Sequence, residues 1–288
     1  MSLKSITSLT KNPSYVKWAI GCWSFFIAEN FILSENRSTI ISHVGDDNYH
    51  YVYGTCSTIA VSSIAYTYFR KLPLEPLRAV VPNSSFVLGV ALQCFGWCVA
   101  SQVVPKFQMP FSREITHDDN TQVLPQSPNV PEQTTSKWKV RCPFDFTHDN
   151  SSTSKDNDEH EHEPRGIDRI SRHAGLWSMA FISAGHGILL PSIPKTIFFT
   201  MPMFVALIGG AHMDSRFKRG MGGSFNKIYE DQTSNIPMLA MAMGKQGSDA
   251  MLKLYDEGKG LNALFGVCVA VGISMRTRRK SALLSFQH

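Results

Sequence analysis

Six stretches of the chain are apolar around most of a helix's circumference, and polar segments separate them. They cover residues 15–33, 52–69, 84–104, 176–190, 197–211 and 261–275. A soluble surface helix keeps its apolar residues on one stripe, so this pattern predicts helices surrounded by hydrocarbon. About 20 residues cross ~30 Å of hydrocarbon. Stretch 84–104 reaches that length without a formal charge. The first, second, fourth and fifth reach it with their flanking residues, and the sixth is short. The pattern predicts an all-α integral membrane bundle of about six transmembrane helices, with five as the alternative. The transmembrane domain covers 15–276, followed by a basic C-terminal tail at 277–288.

Residues 106–166 break the pattern. They hold "PQSPNVPEQTT" and "DNSSTSKDNDEHEHEPRG" and few large apolar residues. Such a segment buries too little surface to offset its ordering entropy, which predicts a long disordered loop. "RCPFDF" at 141–146 is a candidate docked patch within it. The mean hydropathy of −0.10 averages this insert with the apolar stretches and hides them.

The net charge of +5 is concentrated in clusters. Lys4 and Lys11 precede the first stretch and Lys17 stands at its start, Arg70, Lys71 and Arg78 follow the second, and "RTRRK" (276–280) follows the sixth. Basic clusters beside apolar segments mark a membrane face, and no aromatic-interleaved basic patch suggests nucleic acid. With six crossings all three fall on one side, which predicts both termini on the cytoplasmic face or its organellar equivalent. Arg216, Lys218 and Arg219 argue the other way. The first 28 residues lack Asp and Glu and are rich in Ser, Thr and Lys. They read as a plastid or mitochondrial import segment, a signal peptide or an uncleaved first span. The six cysteines form no C-x-x-C pair, and five lie in apolar stretches, where packing is their expected role. "NDEHEHEP" at 157–164 reads as a solvated charge run, with weak Zn²⁺ or Ni²⁺ binding as the alternative.

Several polar residues sit in or beside hydrocarbon, where they are functional candidates by default. On one straight helix, His173 and His186 would lie ~20 Å apart and ~220° around the axis, so they cannot ligate one ion together. His173 reads as interfacial. His186 reads as a packing residue, a heme or metal ligand or a proton carrier. Asp214 and Arg216 do not face one another at a spacing of two. They read as interface anchors, or as a polar site in which Arg172 and Arg216 hold an anionic group. Glu29 and Asn30 interrupt the first stretch and need partners there. His212 is expected at a different depth from His186.

Ile170-Ser171-Arg172-His173, then Gly185-His186, Asp214 and Arg216 of "HMDSR", and "TSNIPMLAMAMGKQ" (233–246) follow one another in a pattern that resembles the NnrU family, which includes 15-cis-zeta-carotene isomerase. The similarity covers residues 166–246. It is weaker in the first half, where "GDDNYHYVY" (45–53) and Leu33 and Arg37 of "ENFILSENR" fit, and Asn30 or Glu29 stands where the family has a histidine. The resemblance implies a helical membrane fold and, as in the isomerase, heme b held by histidines. It makes His173 and His186 the candidate iron ligands, with Arg172, Asp214, Arg216, Asn30 and Glu29 around the cofactor. An amide is a poor axial ligand, so Asn30 departs from the pattern.

Three functions follow. The first is redox or isomerase chemistry on a lipophilic substrate, as in carotenoid biosynthesis. The second is a non-enzymatic NnrU-domain protein that has lost heme ligation and binds a lipid. The third is a membrane methyltransferase using S-adenosylmethionine, whose Arg-His-Pro motif is matched here only as Arg172-His173-Ala174.

Overall fold

Pro13 stands at the first position of a helix, where its missing N–H costs nothing, and the first apolar stretch then runs unbroken as α1 (Pro13–Glu35). In the computed structural model, which describes residues 13–74, 81–103, 111–116, 135–140, 163–221 and 226–285, nearly every element is a helix. A short α2 (Arg37–Val44) leads to Gly45, whose φ of 84° turns the chain back into α3 (Asp46–Tyr66). That helix continues through a π-helical turn, Thr67–Lys71, and a 3-10 turn, Leu72–Leu74. Next come α4 (Asn83–Val103), a 3-10 turn at Gly166–Arg169 and α5 (Ala174–Ile188). The fifth apolar stretch is divided into α6 (Ile193–Thr200), α7 (Pro202–Phe204), a π-helical turn (Val205–Gly209) and α8 (Gly210–Lys218). Short helices α9 (Lys227–Gln232), α10 (Leu239–Ala242) and α11 (Ala250–Glu257) precede α12 (Gly260–Ser285). The basic tail expected from 277 therefore begins as part of this last helix.

Among the described residues, six helical legs pack as a row. α12 lies against α4, α4 against α5, α5 against α6, α6 against α1, and α1 against α3. Glycine sets the spacing between α4 and α5. A Cβ on Gly96 would lie 2.7 Å from the backbone nitrogen of Ile182, and one on Gly185 would lie 2.6 Å from the carbonyl of Gly89. Close approach through small residues is how helices associate where lipid supplies no hydrophobic drive. Between α4 and α12 the buried Ser274 hydroxyl donates to Gln93 Oε1 at 2.7 Å.

Among the described residues, four helical segments are long and apolar enough to cross a membrane: Ser14–Glu35, Asn83–Val103, Ile193–Lys218 and Gly260–Arg279. Only 17–28% of their apolar windows is buried within the protein, so their large side chains face outward. Phe265 is 70% exposed and Val87 66%. A monomeric soluble protein does not display apolar surface on this scale, and membrane-spanning helices account for it. The two expected spans outside this set differ for clear reasons. α5 has 15 residues, and α3 starts with the polar "DDNYHY" and carries Ser and Thr along its length.

The polar insert contains an antiparallel pair, β1 (Phe111–Thr116) with β2 (Thr135–Val140), Phe111 opposite Val140. The bundle itself is all-helical, and this pair is a described part of an insert expected to be mostly disordered. "RCPFDF" and the histidines of "NDEHEHEP" lie outside the described residues.

Candidate functional site

The stretch before α5 is held by the stretch before α10. Met238 N–H donates to the carbonyl of Ile170 at 2.8 Å, and Arg172 N–H donates to that of Ser234 at 3.1 Å. Met238 takes a left-handed φ of 62°, unusual outside glycine, and this hydrogen bond helps hold it there. The fully buried Ser171 hydroxyl donates to the carbonyl of Asn235 at 2.6 Å and accepts from His173 N–H at 3.1 Å. Asn235 accepts from Trp177 Nε1 at 3.2 Å and donates to the carbonyl of Leu207 at 3.0 Å. Gly210 leaves room for it, since a Cβ there would collide with the Asn235 side chain. The stretches 170–177, 207–214 and 233–238 thus form one clasp.

Asp214 stands at its centre. Its Oδ1 meets His173 Nε2 at 2.7 Å, and its Oδ2 lies 3.4 Å from Arg172 Nη2. A carboxylate only accepts, so Nε2 carries the hydrogen and donates. His173 is 5% exposed, and the Arg172 and Asp214 side chains are 10% and 13% exposed. Nearby, burial pushes the Tyr229 phenol up, reinforced by Asp168 and Asp214, so it stays neutral.

The remaining candidates lie apart from this clasp. Asn30 Nδ2 donates to the carbonyl of Phe26 at 2.9 Å and to Glu29 Oε2 at 2.8 Å, and Asn30 Oδ1 accepts from Tyr53 OH at 2.8 Å. Glu29 is 8% exposed, and its Oε1 is buried without a partner among the described residues. His186 sits in the last turn of α5, edge-on to Phe199 at 5.0 Å, at the opposite end of that helix from His173. Arg216 has a buried Nε without a hydrogen-bond partner among the described residues. His212 lies on α8 against the end of α1. Its Nδ1 is 3.2 Å from Glu35 Oε1, its Nε2 bonds Ser34 Oγ, and its ring lies 4.5 Å from that of Phe31. Arg219 also clamps Glu35 bidentately.

Two of these placements bear on heme. His173 and His186 stand 13 residues apart, ~20 Å along the helix direction, and cannot share an iron. Nε2 of His173 is engaged by Asp214, and both polar atoms of the Asn30 amide are engaged by neighbours. The nominated residues do not fit as a pair of axial ligands. Among the described residues, no group of three or more His, Cys, Asp or Glu is placed to hold a metal ion.

Sequence reasoning singled out Arg172, His173 and Asp214 but passed over Asn235 and Trp177. Asn235 occupies the variable position of "TSNIP", and a lone Asn two residues before a proline reads as an ordinary turn residue. Comparison with protein-family models, with curated proteins and with solved structures finds no match to the chain.

Proposed function

We propose that the chain is an NnrU-type membrane protein that crosses the bilayer six times and binds a lipophilic molecule. Its motif residues hold the bundle closed and do not serve as a pair of iron ligands. The observation that carries this reading is the Asp214 carboxylate shared by Arg172 and His173. The pattern that suggested the family draws on residues 170–173, 214 and 233–237. These stretches are far apart in sequence and meet in one clasp, as expected if they mark one structural unit. Arg216, two residues beyond Asp214, supplies a guanidinium fork for the polar or anionic end of the bound molecule. The shorter crossings are α3 with its π-helical extension and α5. Residues 46–71 reach ~39 Å as a continuous helix, and α5 reaches ~22 Å before its flanking residues.

A second reading, redox or isomerase chemistry with heme b, draws on one observation. The His186 imidazole is engaged by a ring edge alone among the described residues. That side chain would supply a single axial nitrogen. The absorption spectrum of the detergent-purified protein, oxidised and dithionite-reduced, separates the two. The first reading expects no Soret band, together with a cooperative melt that collapses in Asp214→Ala. A Soret band in the wild type that is lost in His186→Ala overturns it in favour of the second. A Soret band lost in both His173→Ala and His186→Ala, with folding retained, contradicts the placement of both residues.

A further inference from the structure

Packing brings together one end of the bundle where, among the described residues, no cation is ion-paired to an acid. The start of α1 meets the end of α3, where Trp18 and Tyr66 rings lie 5.8 Å apart and Lys71 Nζ lies 4.8 Å from the Trp18 ring centre. The end of α12 meets the start of α4, where Arg278 donates to Asn83 Oδ1 at 3.1 Å and lies over Phe86. Lys17, Arg70, Lys71, Lys195, Arg276, Arg278 and Arg279 therefore share this end. Residues 13–28, 60–74, 81–93, 186–200 and 268–279 contain no Asp or Glu.

Between α1 and α3 at this end lies a groove of about 370 Å³. Ser14, Lys17 and Trp18 form its mouth, Ser63 stands on its wall, and Gly21 and Phe25 continue its floor. A Cβ on Gly21 would meet nothing within 4 Å, so the missing side chain leaves open space. From Ser14 to Phe25 the floor descends ~16 Å along the helix axis. The mouth is cationic and aromatic and the floor is apolar, in the order in which a lipid carries its head and its chain.

The geometry points to a binding site for one acidic phospholipid, its phosphate between Lys17 and Lys71 and an acyl chain along Gly21 and Phe25. Each cation near an anionic head group contributes roughly 1 kcal/mol, so loss of one weakens binding about fivefold. Trp18 and Tyr66 suit the head-group level, where amphipathic rings collect. The site requires that α1 and α3 cross a membrane, and it is independent of the NnrU resemblance.

The test uses the full chain in uncharged detergent. Thermal unfolding is followed with added phosphatidylglycerol, with phosphatidylcholine of the same chains, and with glycerol 3-phosphate. Phosphatidylglycerol is expected to raise the melting temperature by about 4 °C more than phosphatidylcholine, and glycerol 3-phosphate to have no effect. The double variant Lys17→Gln/Lys71→Gln loses this difference. Gly21→Leu, which fills the floor in open space, also loses it while keeping both cations and the melting temperature in phosphatidylcholine. Equal shifts from the two lipids overturn the proposal. So does a full shift from glycerol 3-phosphate, which makes the ligand a soluble phosphate, or a phosphatidylglycerol effect that survives Gly21→Leu.

Discussion

At one end of the bundle, cations are matched to carboxylates. Arg169 holds Glu257 with contacts of 2.9 and 2.8 Å, Arg172 and His173 share Asp214, Arg219 clamps Glu35, and Lys218 meets Glu230 at 2.7 Å. At the other end, Lys71 and Arg278 lie over aromatic rings, and the described segments contain no acid. Both ends present polar groups where a bilayer would meet water. The paired end spends its charges internally and fastens loops and helix ends to one another. The basic end leaves its charge available to an outside anion. Removing a charge should therefore cost folding stability at the first end and little at the second.

The largest effect is expected at Asp214. Asp214→Ala leaves the buried His173 and Arg172 without their shared acceptor. Breaking one side of a buried ion pair costs about 3–5 kcal/mol, which lowers the melting temperature in detergent by on the order of 10 °C. Asp214→Asn keeps an acceptor for His173 Nε2 and should lose less. A melt of Asp214→Ala within a degree or two of wild type would mean that the clasp does not close the bundle.

Much of this was legible in the sequence, for physical reasons that also mark where legibility ends. Of the six apolar stretches, four became helices long and apolar enough to cross hydrocarbon, and the other two became the more polar α3 and the shorter α5. The stretches did not reveal that residues 197–211 divide at a π-helical turn, because Val205–Gly209 is as apolar as the Pro202–Phe204 turn before it and carries no proline. Arg172, His173 and Asp214 stood out as charges beside lipid. Their partnership did not, because it joins helix ends 41 residues apart. Glu29 and Asn30 were expected to find partners, and the Glu29–Asn30–Tyr53 chain supplies them across α1 and α3. Asn235 gave no signal, since its role depends on where Trp177 and Leu207 arrive in space.

A middle-sized effect should follow acid at the Arg169–Glu257 pair. The Arg169 guanidinium and the Gly166 N–H hold the Glu257 carboxyl below its ordinary value of 4.5. A carboxyl depressed by folding adds stability that is complete above the unfolded value and is lost as pH falls through the folded one. Wild type should therefore lose this contribution only below about pH 4.5. The Glu257 side chain is 30% exposed, so water screens the pair and about 1 kcal/mol is at stake at neutral pH. Melting curves of wild type and Glu257→Gln should be separated at pH 7 and converge at low pH. A separation that stays constant through the acid range would assign the effect to packing.

The smallest effect completes the contrast. Arg276 and Arg279 are exposed, and no described carboxylate lies within ion-pair distance of either. Arg276→Gln/Arg279→Gln in uncharged detergent should change stability by no more than about 0.5 kcal/mol, as for a surface site without a partner. The same double variant should matter in membranes, where Lys and Arg near the ends of crossing helices bias which face they occupy. Reporter labelling at the C-terminus should then detect a fraction of molecules with that end on the opposite face. If the variant instead melts as early as Glu257→Gln, these arginines do have a folding partner, and the two ends differ in degree and not in kind.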